Sequence, residues 1–264
     1  MTKLVRPFLF VAILLGLWAP AYATDGVMLI NQATVLASGG FPYVISTSGT
    51  YRLSGNLVVA SGDGIHINAD NVTLDLNGFT ITGSSASSSI GIKVPSSQMG
   101  IAIRGGTLNM WYVGVVASSS CTSCQFQQLL IHGTSYGITV NGGTSVLITG
   151  NTIQGVSSTI GQCIDNAASA TIISSNTVTN CAAGISTVQA ANITGNVAQG
   201  NGAGGIVAGA GSNISANEVQ GNAGAGISAL SCPSNLVGNT ATGNGTDISV
   251  TGSGCTRYNN NPSP

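Results

Sequence analysis

Charged residues are scarce in this sequence: its 264 residues include six Lys or Arg and seven Asp or Glu, for a formal net charge of −1. No stretch collects lysines and arginines into a basic stripe. Proteins that bind nucleic acid need such a stripe to neutralise phosphates, and an anionic membrane attracts the same feature. We therefore expect neither partner. The regularly spaced Val and Ile residues indicate a packed core and argue against disorder.

Long apolar runs are missing after residue 23, so the sequence predicts no insertion into a membrane. The one apolar run, PFLFVAILLGLW, is shorter than the roughly 20 residues that a membrane span requires. It follows Lys3 and Arg6 and precedes AYA, Ala21–Ala23. This order is typical of a secretory signal peptide. We expect residues 1–23 to be removed by cleavage near Ala23 and the protein to be secreted or periplasmic.

Helix-favouring residues are sparse where the sequence is most regular. The segments between its repeats consist mainly of Gly, Ser, Thr, Asn and alternating Ile or Val, which disfavour the helical side of a leucine-rich repeat. The sequence predicts an all-β, single-domain parallel β-helix of about nine coils. Each coil is marked by a Gly-Ile pair or a close variant, which begins at Gly64, Gly91, Gly114, Gly137, Cys163, Gly184, Gly205, Gly226 and Asp247.

Alignment of the coils assigns each residue to a column along the solenoid, because parallel stacking places equivalent residues roughly 4.8 Å apart. One column is an asparagine that we place at a turn, where its amide can bond its copies in adjacent coils and tolerate a left-handed conformation. These asparagines are Asn151, Asn176, Asn196, Asn217 and Asn239. The predicted inward column is Leu76, Ile103, Phe126, Ile148, Ile173, Ile193, Ile214 and Leu236.

The segment GIHINADNVTLDLNGFTITG, Gly64–Gly83, with the preceding TSGTYRLSGNL, resembles the first coils of exported right-handed parallel β-helix proteins of the pectate-lyase-like superfamily. The resemblance covers most of Thr47–Cys255 and implies a right-handed helix. It implies no single activity, since the superfamily includes polysaccharide lyases, glycoside hydrolases, epimerases, adhesins and proteins of no known activity.

The open sheet edges at both ends of a β-helix must be blocked. We assign residues 24–62 to an N-terminal cap and the first strands, with a short cap helix in Val27–Ser38. Residues 63–264 form the β-helix, with the polar tail Arg257–Pro264 as a C-terminal cap. We expect the protein to be a monomer.

An even number of cysteines, all after residue 23, favours disulfides in an oxidising compartment. Cys232 and Cys255 lie on neighbouring coils and are a candidate pair. Cys163 and Cys181 are one coil apart but three positions out of step. They can pair only if the turn folds back, because bridged Cα atoms lie within about 7 Å. The connectivity stays open.

Cys121 and Cys124 form a CxxC motif, which we interpret as a local disulfide. Zinc would need four ligands, and of the other candidate ligands only His132 is near in sequence. A redox thiol would need cationic neighbours or a helix N-terminus. No metal site or cofactor is therefore predicted, although calcium stays open. The acidic residues that lack the spacing of a calcium loop are Asp63, Asp70 and Asp75.

The resemblance implies two catalytic schemes: a lyase with a calcium cluster and an Arg or Lys base, and a hydrolase with two or three close aspartates. The aligned coils assemble neither cluster. His66 and Lys93 stack in the outward position after their anchors, where they either grip a uronate or abstract its proton, or are simply solvated. Asp75 and Arg104 lie two columns apart on consecutive coils, as a diagonal ion pair or with the arginine as a lyase base.

Aromatic residues are few but clustered. Trp111 and Tyr112 precede one anchor, Tyr136 precedes the next, and His132 starts the same turn. Four rings along one edge predict a carbohydrate-binding platform, because exposed rings stack on sugars and their polar tips bond hydroxyls. The alternative is that one or two of these rings cover a seam where the coils are longer.

These features predict a secreted β-helix protein that binds a polysaccharide or cell-surface glycan on its lateral face. Whether it also processes that glycan stays open. One alternative is a non-catalytic structural or adhesive surface protein. A second is a polysaccharide lyase or glycoside hydrolase. A threonine-rich outward column also resembles ice-binding arrays, but Leu130, Val197 and Glu218 interrupt it.

Overall fold

The computed structural model of the protein describes residues 26–262. The predicted signal peptide, residues 1–23, lies outside the described residues. The alternating Ile and Val residues of the repeats form short strands, joined by turns rich in Gly, Asn and Ser. Within residues 26–262, no helix is long and apolar enough to cross a bilayer.

The described residues contain 32 strands and one helix. In chain order they are β1 (Val27–Ile30), α1 (Gln32–Ala37), β2 (Tyr43–Ile45), β3 (Gly49–Leu53), β4 (Leu57–Val58), β5 (Ile65–Ile67), β6 (Val72–Asp75), β7 (Thr80–Thr82), β8 (Ile90–Val94), β9 (Gln98–Met99), β10 (Ala102–Asn109), β11 (Val113–Ala117), β12 (Cys121–Thr122), β13 (Gln125–Thr134), β14 (Tyr136–Val140), β15 (Gly143–Thr144), β16 (Leu147–Thr149), β17 (Thr152–Gly155), β18 (Gln162–Asn166), β19 (Thr171–Ser174), β20 (Thr177–Thr179), β21 (Ala183–Thr187), β22 (Ala191–Thr194), β23 (Val197–Gln199), β24 (Gly204–Ala208), β25 (Asn213–Ser215), β26 (Glu218–Gln220), β27 (Ala225–Ala229), β28 (Asn235–Val237), β29 (Thr240–Thr242), β30 (Thr246–Val250), β31 (Thr256–Tyr258) and β32 (Asn261–Pro262).

Most of the strands stack in parallel into three faces of one solenoid, and the short strands β9, β12 and β15 form a separate parallel sheet. Face 1 is a ten-stranded sheet that contains the Gly-Ile anchors and runs from β2 to β30. Faces 2 and 3 belong to one 19-stranded sheet, because β10 and β13 run through both faces. Face 2 consists of β1, β3, β6, β10, β13, β16, β19, β22, β25, β28 and β31, and face 3 of β4, β7, β10, β13, β17, β20, β23, β26, β29 and β32.

The solenoid has about eleven turns, two more than the anchors predict. Face 1 includes β2, which precedes the first Gly-Ile anchor, and face 2 is extended by β1 at one end and β31 at the other. Coils without a Gly-Ile pair cannot be counted by that motif. They still continue the ladder, because backbone pairing in a parallel sheet does not depend on that motif.

The core follows the inward columns of the three faces. The register pairs Ile103 with Phe126 on one side and with Leu74 on the other. The assignment of Leu76 to this column is therefore wrong by two residues. Leu76 is itself fully buried, but in the turn between faces 2 and 3. The error arises because the turn between faces 1 and 2 is shorter in the first anchored coil than in the second, so counting from the anchor overshoots.

The predicted asparagine column forms a buried ladder at the turn between faces 2 and 3. In each coil the Asn backbone N–H and Nδ2 both donate to Oδ1 of the next Asn, at 2.8 to 3.1 Å, from Asn151 as far as Asn260. The left-handed conformation does not fall on these asparagines. It falls on the residue before each, such as Gly195 with φ 64°, which turns the chain so that the amide points inward.

A second asparagine ladder, at the turn between faces 3 and 1, was not predicted. Asn201, Asn222 and Asn244 repeat the same double donation from one coil to the next. Cys181 donates its backbone N–H at one end, and the Asp247 carboxylate accepts from Asn244 at the other. The column is hard to see in sequence because it has only three asparagines and because its first member is Cys181.

The N-terminal end is covered by a helix that is shorter than predicted. Val27–Ile30 is a strand paired with β3, so only Gln32–Ala37 of Val27–Ser38 is helical. Asn31 caps this helix by accepting from the Thr34 N–H at 3.0 Å. The Gln32 side chain bonds both the N–H and the C=O of Val58, as a neighbouring strand would. This satisfies backbone groups at the edge of face 3.

Three disulfides cross-link the solenoid, and they include every cysteine: Cys121–Cys124, Cys163–Cys181 and Cys232–Cys255. Each candidate pair is thus confirmed. Cys163 and Cys181 reach a Cα separation of 5.6 Å although they are out of step along the coils. They meet because Cys163 lies at the start of face 1 and Cys181 in the turn that precedes that face in the next coil.

We expect the Cys163→Ala, Cys181→Ala double variant to lose about 3 kcal/mol of unfolding free energy, because this bridge closes a loop that the unfolded chain would otherwise explore. The Cys121→Ala, Cys124→Ala variant is the matched control. Its residues are separated by 3 positions rather than 18, so the same chain-entropy argument predicts about half that loss. Urea denaturation of the three proteins measures both values, and equal losses would contradict the explanation.

Candidate functional site

Face 1 carries its outward side chains in one column along the rod. The register pairs His66 with Lys93, as the aligned coils predict, and Lys93 with Val116. Thr139, Asp165 and Ser186 continue the column. Because β-strand residues alternate between the two sides of a sheet, this column is the part of face 1 that meets solvent. Two of the predicted site residues therefore share one surface.

His66 is held in place by a residue that the sequence did not single out. Its Nε2 lies 2.8 Å from Oδ2 of Asp63, and the other Asp63 oxygen accepts the Ile90 N–H at 3.0 Å. The Asp63 carboxylate is thus anchored to the next coil. This arrangement orients the imidazole and leaves Nδ1 as the ring nitrogen available to a ligand.

Lys93 is the only lysine among residues 26–262. Its side chain is half-buried, and the ion pairs of these residues involve Asp63 and Asp75 but not Lys93. An ammonium group without a carboxylate partner keeps its charge available to a bound anion. Lys93 is therefore the part of face 1 that would recognise a carboxylate or another acidic group.

Tyr112 and Tyr136 form an aromatic pair at the edge of face 1. Their ring centroids are 5.5 Å apart in an edge-to-face arrangement, with 65° between the planes. The two rings lie on consecutive coils, since the Tyr136 N–H donates to the Tyr112 carbonyl at 2.9 Å. Both side chains are partly exposed. The prediction that these two rings meet on the surface is confirmed.

Asp165 lies beside this pair and was not predicted as a site residue. Burial raises the pKa of its carboxyl above the ordinary value. The pKa of Tyr136 is raised as well, first by burial, then by the charge of Tyr112 and a hydrogen bond with it, and further by the negative charge of Asp165. The Tyr136 hydroxyl therefore stays protonated over a wide pH range and can act as both donor and acceptor.

Trp111 does not belong to this surface, and its prediction as an exposed ring is wrong. Its side chain is 1% exposed, and the indole Nε1 donates to the Ile81 carbonyl at 3.0 Å. A Cβ placed on Gly64, Gly83 or Gly91 would approach the indole to between 2.7 and 3.3 Å. These three glycines provide the space that the indole fills, so Trp111 is a core residue.

His132 is also separate from the tyrosines. It lies in β13 on face 3, where its register partners are Asn109 and Gln154. A register irregularity of β13 after His132, followed by Ser135, separates it from β14 on face 1. Of the four residues predicted as a carbohydrate platform, Tyr112 and Tyr136 are brought together and the other two are not.

Asp75 and Arg104 lie on face 2, in the same outward column and not two columns apart, because the register of this coil is shifted as described for Leu74. Arg104 Nη2 lies 3.4 Å from Asp75 Oδ2, and Arg52 Nε approaches the same oxygen at 3.9 Å. One carboxylate thus lies between two guanidinium groups. The half-exposed triad is an ion-pair arrangement away from face 1.

The carboxylates of the described residues do not converge. Among residues 26–262, no three His, Cys, Asp or Glu side chains form a group that could hold a metal ion. Asp70 Oδ1 accepts the Met99 N–H, and Asp75 Oδ1 accepts the Asn77 N–H. These carboxylates bond backbone groups of the turns and therefore contribute to the stability of the solenoid.

Comparisons with known proteins agree with the fold. The family described as "Right handed beta helix region" has a sequence model that matches residues 96–261. No curated protein matches the chain. Among solved structures, the chain is similar to the Dettilon tailspike protein, with a TM-score of 0.61, 15% sequence identity, and coverage of 82% of this chain and 47% of that chain. The chain thus spans about half the length of the tailspike, and at this identity the likeness shows the fold alone.

Two further solved structures are similar at lower scores. One is DFA-IIIase from Arthrobacter chlorophenolicus A6 without its lid, with a TM-score of 0.46, 11% identity, and coverage of 78% of this chain and 69% of that chain. The other is the A-module of the Azotobacter vinelandii mannuronan C-5 epimerase AlgE6, with a TM-score of 0.39, 12% identity, and coverage of 88% and 93%.

Proposed function

Since this chain belongs to the right-handed β-helix family, we propose that it uses the lateral surface of the helix to bind a polysaccharide or cell-surface glycan, and that the binding site is on face 1. The observation that carries the proposal is the partly exposed Tyr112–Tyr136 pair at the edge of a face whose outward column contains His66 and Lys93. A fold of this kind does not confer function by itself, so the proposal depends on these side chains.

His66, Lys93, Tyr112 and Tyr136 together form a strip on face 1. The chemistry of this strip suits an extended, acidic glycan. The two tyrosine rings offer flat apolar surfaces for sugar rings, and their hydroxyls bond sugar hydroxyls. Lys93 lies on the coil before the one that Tyr112 opens, where it can pair with the carboxylate of a uronate. His66, oriented by Asp63, adds one more hydrogen-bonding group beside Lys93.

Binding is proposed rather than cleavage. The carboxylates nearest to this strip, Asp63 and Asp165, are four coils apart, which corresponds to roughly 19 Å at the strand spacing of a sheet. Hydrolysis by two carboxyl groups requires a separation of about 5 to 9.5 Å. The pair therefore does not supply an acid and a base to the same glycosidic bond.

We expect the Tyr112→Ala, Tyr136→Ala double variant to bind acidic polysaccharides about tenfold more weakly, because two ring contacts of 0.5 to 1.5 kcal/mol each are lost. Retention of the purified protein on immobilised polygalacturonate and alginate measures the change. The matched control is Tyr258→Ala, which removes a ring that is 65% exposed on face 2 at the C-terminal end. Unsaturated uronates and reducing ends are followed in the same samples.

The possible outcomes of the retention experiment distinguish the proposed glycan site from the alternative functions. If the double variant loses retention on the glycan and the control keeps it, the result supports the proposal. Lys93→Ala should then make retention of the protein less dependent on salt concentration. Retention that the double variant keeps in full places the glycan elsewhere and overturns this site. No retention on any glycan tested favours a structural or adhesive protein. Product formation would mean that the bound glycan is also processed.

The proposal includes export. The three disulfides agree with an oxidising environment outside the cytosol, and cleavage near Ala23 remains the prediction from the sequence. We also propose that the protein acts as a monomer, without a nucleic-acid partner and without a required cofactor.

A further inference from the structure

A groove of about 350 Å³ runs across three coils at the start of face 2. It lies on a different face from the Tyr112–Tyr136 pair. Ala170, Ala190 and Gly211 line it from the turn that leads out of face 1. The first residues of three face 2 strands complete it with Ile172, Asn192 and Asn213.

The polar groups of this groove are side-chain amides whose hydrogen-bond donors and acceptors are only partly used within the fold. Asn213 Nδ2 donates to Asn192 Oδ1 at 3.1 Å. Both side chains are exposed, and within residues 26–262 no other side-chain hydrogen bond is made by either. An amide has two donor hydrogens and an acceptor oxygen with two lone pairs. The pair therefore retains donors on both residues and an acceptor on Asn213, in contrast to the saturated ladder of buried asparagines.

The apolar part of the groove is equally open. Ile172 is 44% exposed although it lies in the middle of a sheet face. The residues of the adjoining turn are small, and a Cβ on Gly211 would lie 3.4 Å from the Ala190 Cβ. Larger side chains at these turn positions would fill the groove. An exposed aliphatic side chain beside amides with unused hydrogen-bonding capacity can contact a ring that has one apolar face and hydroxyls at its edge.

Charge separates this groove from face 1. None of the lining residues is charged, and the next outward column on the same coils contains the hydroxyls of Ser174, Thr194 and Ser215. An acidic ligand would lose hydration here without gaining an opposite charge. A peptide strand cannot add to this surface by backbone pairing, because the backbone of face 2 is already paired on both sides.

We propose that this groove is a second binding site, specific for a neutral polysaccharide, with Asn192 and Asn213 bonding sugar hydroxyls and Ile172 packing against a sugar ring. The site is independent of the glycan site proposed on face 1. The ligand is a chain rather than a free sugar because the groove spans three successive coils, and Ile172, Asn192 and Asn213 each offer one contact on a different coil.

The test uses the purified full chain and retention on immobilised dextran, mannan and cellulose at low and high salt. We expect binding to at least one of these neutral glycans that salt does not weaken. The Asn192→Ala, Asn213→Ala double variant should bind it about tenfold more weakly, through the loss of two hydrogen-bonding side chains. Asn235→Ala is the matched control, since it lies in the same column one coil further on and outside the groove.

Further variants and competitors in the same experiment distinguish this proposal from the one for face 1. The Tyr112→Ala, Tyr136→Ala variant should keep neutral binding, and its loss would mean that both ligands use face 1. Competition by free glucose or mannose as strong as that by their oligosaccharides would overturn the claim that a chain is recognised. No retention on the neutral glycans, or retention unchanged in the Asn192→Ala, Asn213→Ala variant, would overturn the groove as a site. Either result leaves the face 1 proposal standing.

Discussion

We expect Asn196→Ala to lower the free energy of unfolding by about 3 to 5 kcal/mol, the largest effect that we predict for a single polar side chain here. Asn196 is fully buried in the ladder between faces 2 and 3. Its Oδ1 accepts both the backbone N–H and Nδ2 of Asn176, and its Nδ2 donates to the Ile173 carbonyl. Each of these three bonds is 2.9 Å long.

The size of the effect follows from what alanine leaves behind. Two donors on Asn176 and one carbonyl on Ile173 lose their partner inside the solenoid, where each unsatisfied group costs about 1 to 3 kcal/mol. Each rung of the ladder also positions the next, so the damage is not limited to one coil. A surface asparagine has no such neighbours and should be replaceable at little cost.

Urea denaturation with the disulfides intact measures the change, and Asn141→Ala is the matched control because that asparagine is exposed in a turn. We expect the control to lie within about 0.5 kcal/mol of the wild type. A loss for Asn196→Ala no larger than that of the control would show that the ladder contributes little to stability. The slope of the transition shows whether unfolding stays cooperative across the solenoid.

The second large effect is expected from Arg257→Leu, which should make the protein, proposed above to be a monomer, associate through the C-terminal end of the solenoid. Arg257 occupies the inward column of face 2, opposite Leu236, where every earlier coil from Leu74 onward has an apolar residue. Its Nη2 lies 3.4 Å from the Ile248 carbonyl, so the guanidinium extends across the open end of the core. An inward charge on a terminal coil prevents further strands from adding.

Leucine at this position removes the charge and enlarges the apolar area around Ile248 and Val250, which are half-exposed because no further coil of residues 26–262 covers them. The unpaired strand edges of the last coil then lie beside an apolar surface that a second copy can cover.

Sedimentation across a range of concentrations measures the association, and we expect the mass of Arg257→Leu to rise to at least twice that of one chain. The matched control is Arg104→Leu, which makes the same chemical change in an outward position on the side of the rod. If Arg257→Leu stays monomeric, or if both variants associate equally, Arg257 is not what keeps the end of the solenoid free.

The parts of the site that could be predicted lie within strands. His66 and Lys93 are neighbours because each follows its anchor by the same number of strand residues, and alternation then turns both outward. Tyr112 and Tyr136 come close because each precedes an anchor on consecutive coils, although they are one position out of register, since Tyr136 pairs with Val113. Regular backbone pairing thus brings equivalent or neighbouring positions of consecutive coils together.

The residues that could not be predicted lie in turns or depend on them. Asp63 reaches His66 from the turn before β5, and Trp111 enters the core because Met110, with φ 61°, redirects the chain just before it. The sequence did contain a signal for Trp111, namely the glycines at positions 64, 83 and 91. Their missing side chains leave the space that the indole fills. The second asparagine ladder was missed because it has only three asparagines, begins at Cys181, and ends on Asp247, which lies three residues after Asn244 on the same coil.

Besides proposing candidate cysteine pairs, whose connectivity it left open, the sequence by itself determined the period of the chain, its division into short parallel strands and the outward column of face 1. These properties follow from the two-residue alternation of a strand and from stacking at a constant spacing. Only the tertiary structure decided which rings are exposed, which carboxylate orients His66, and where a groove opens on face 2. Those features depend on the length and dihedral angles of individual turns, because one additional turn residue moves a side chain to a different face while leaving the pattern of the strands unchanged.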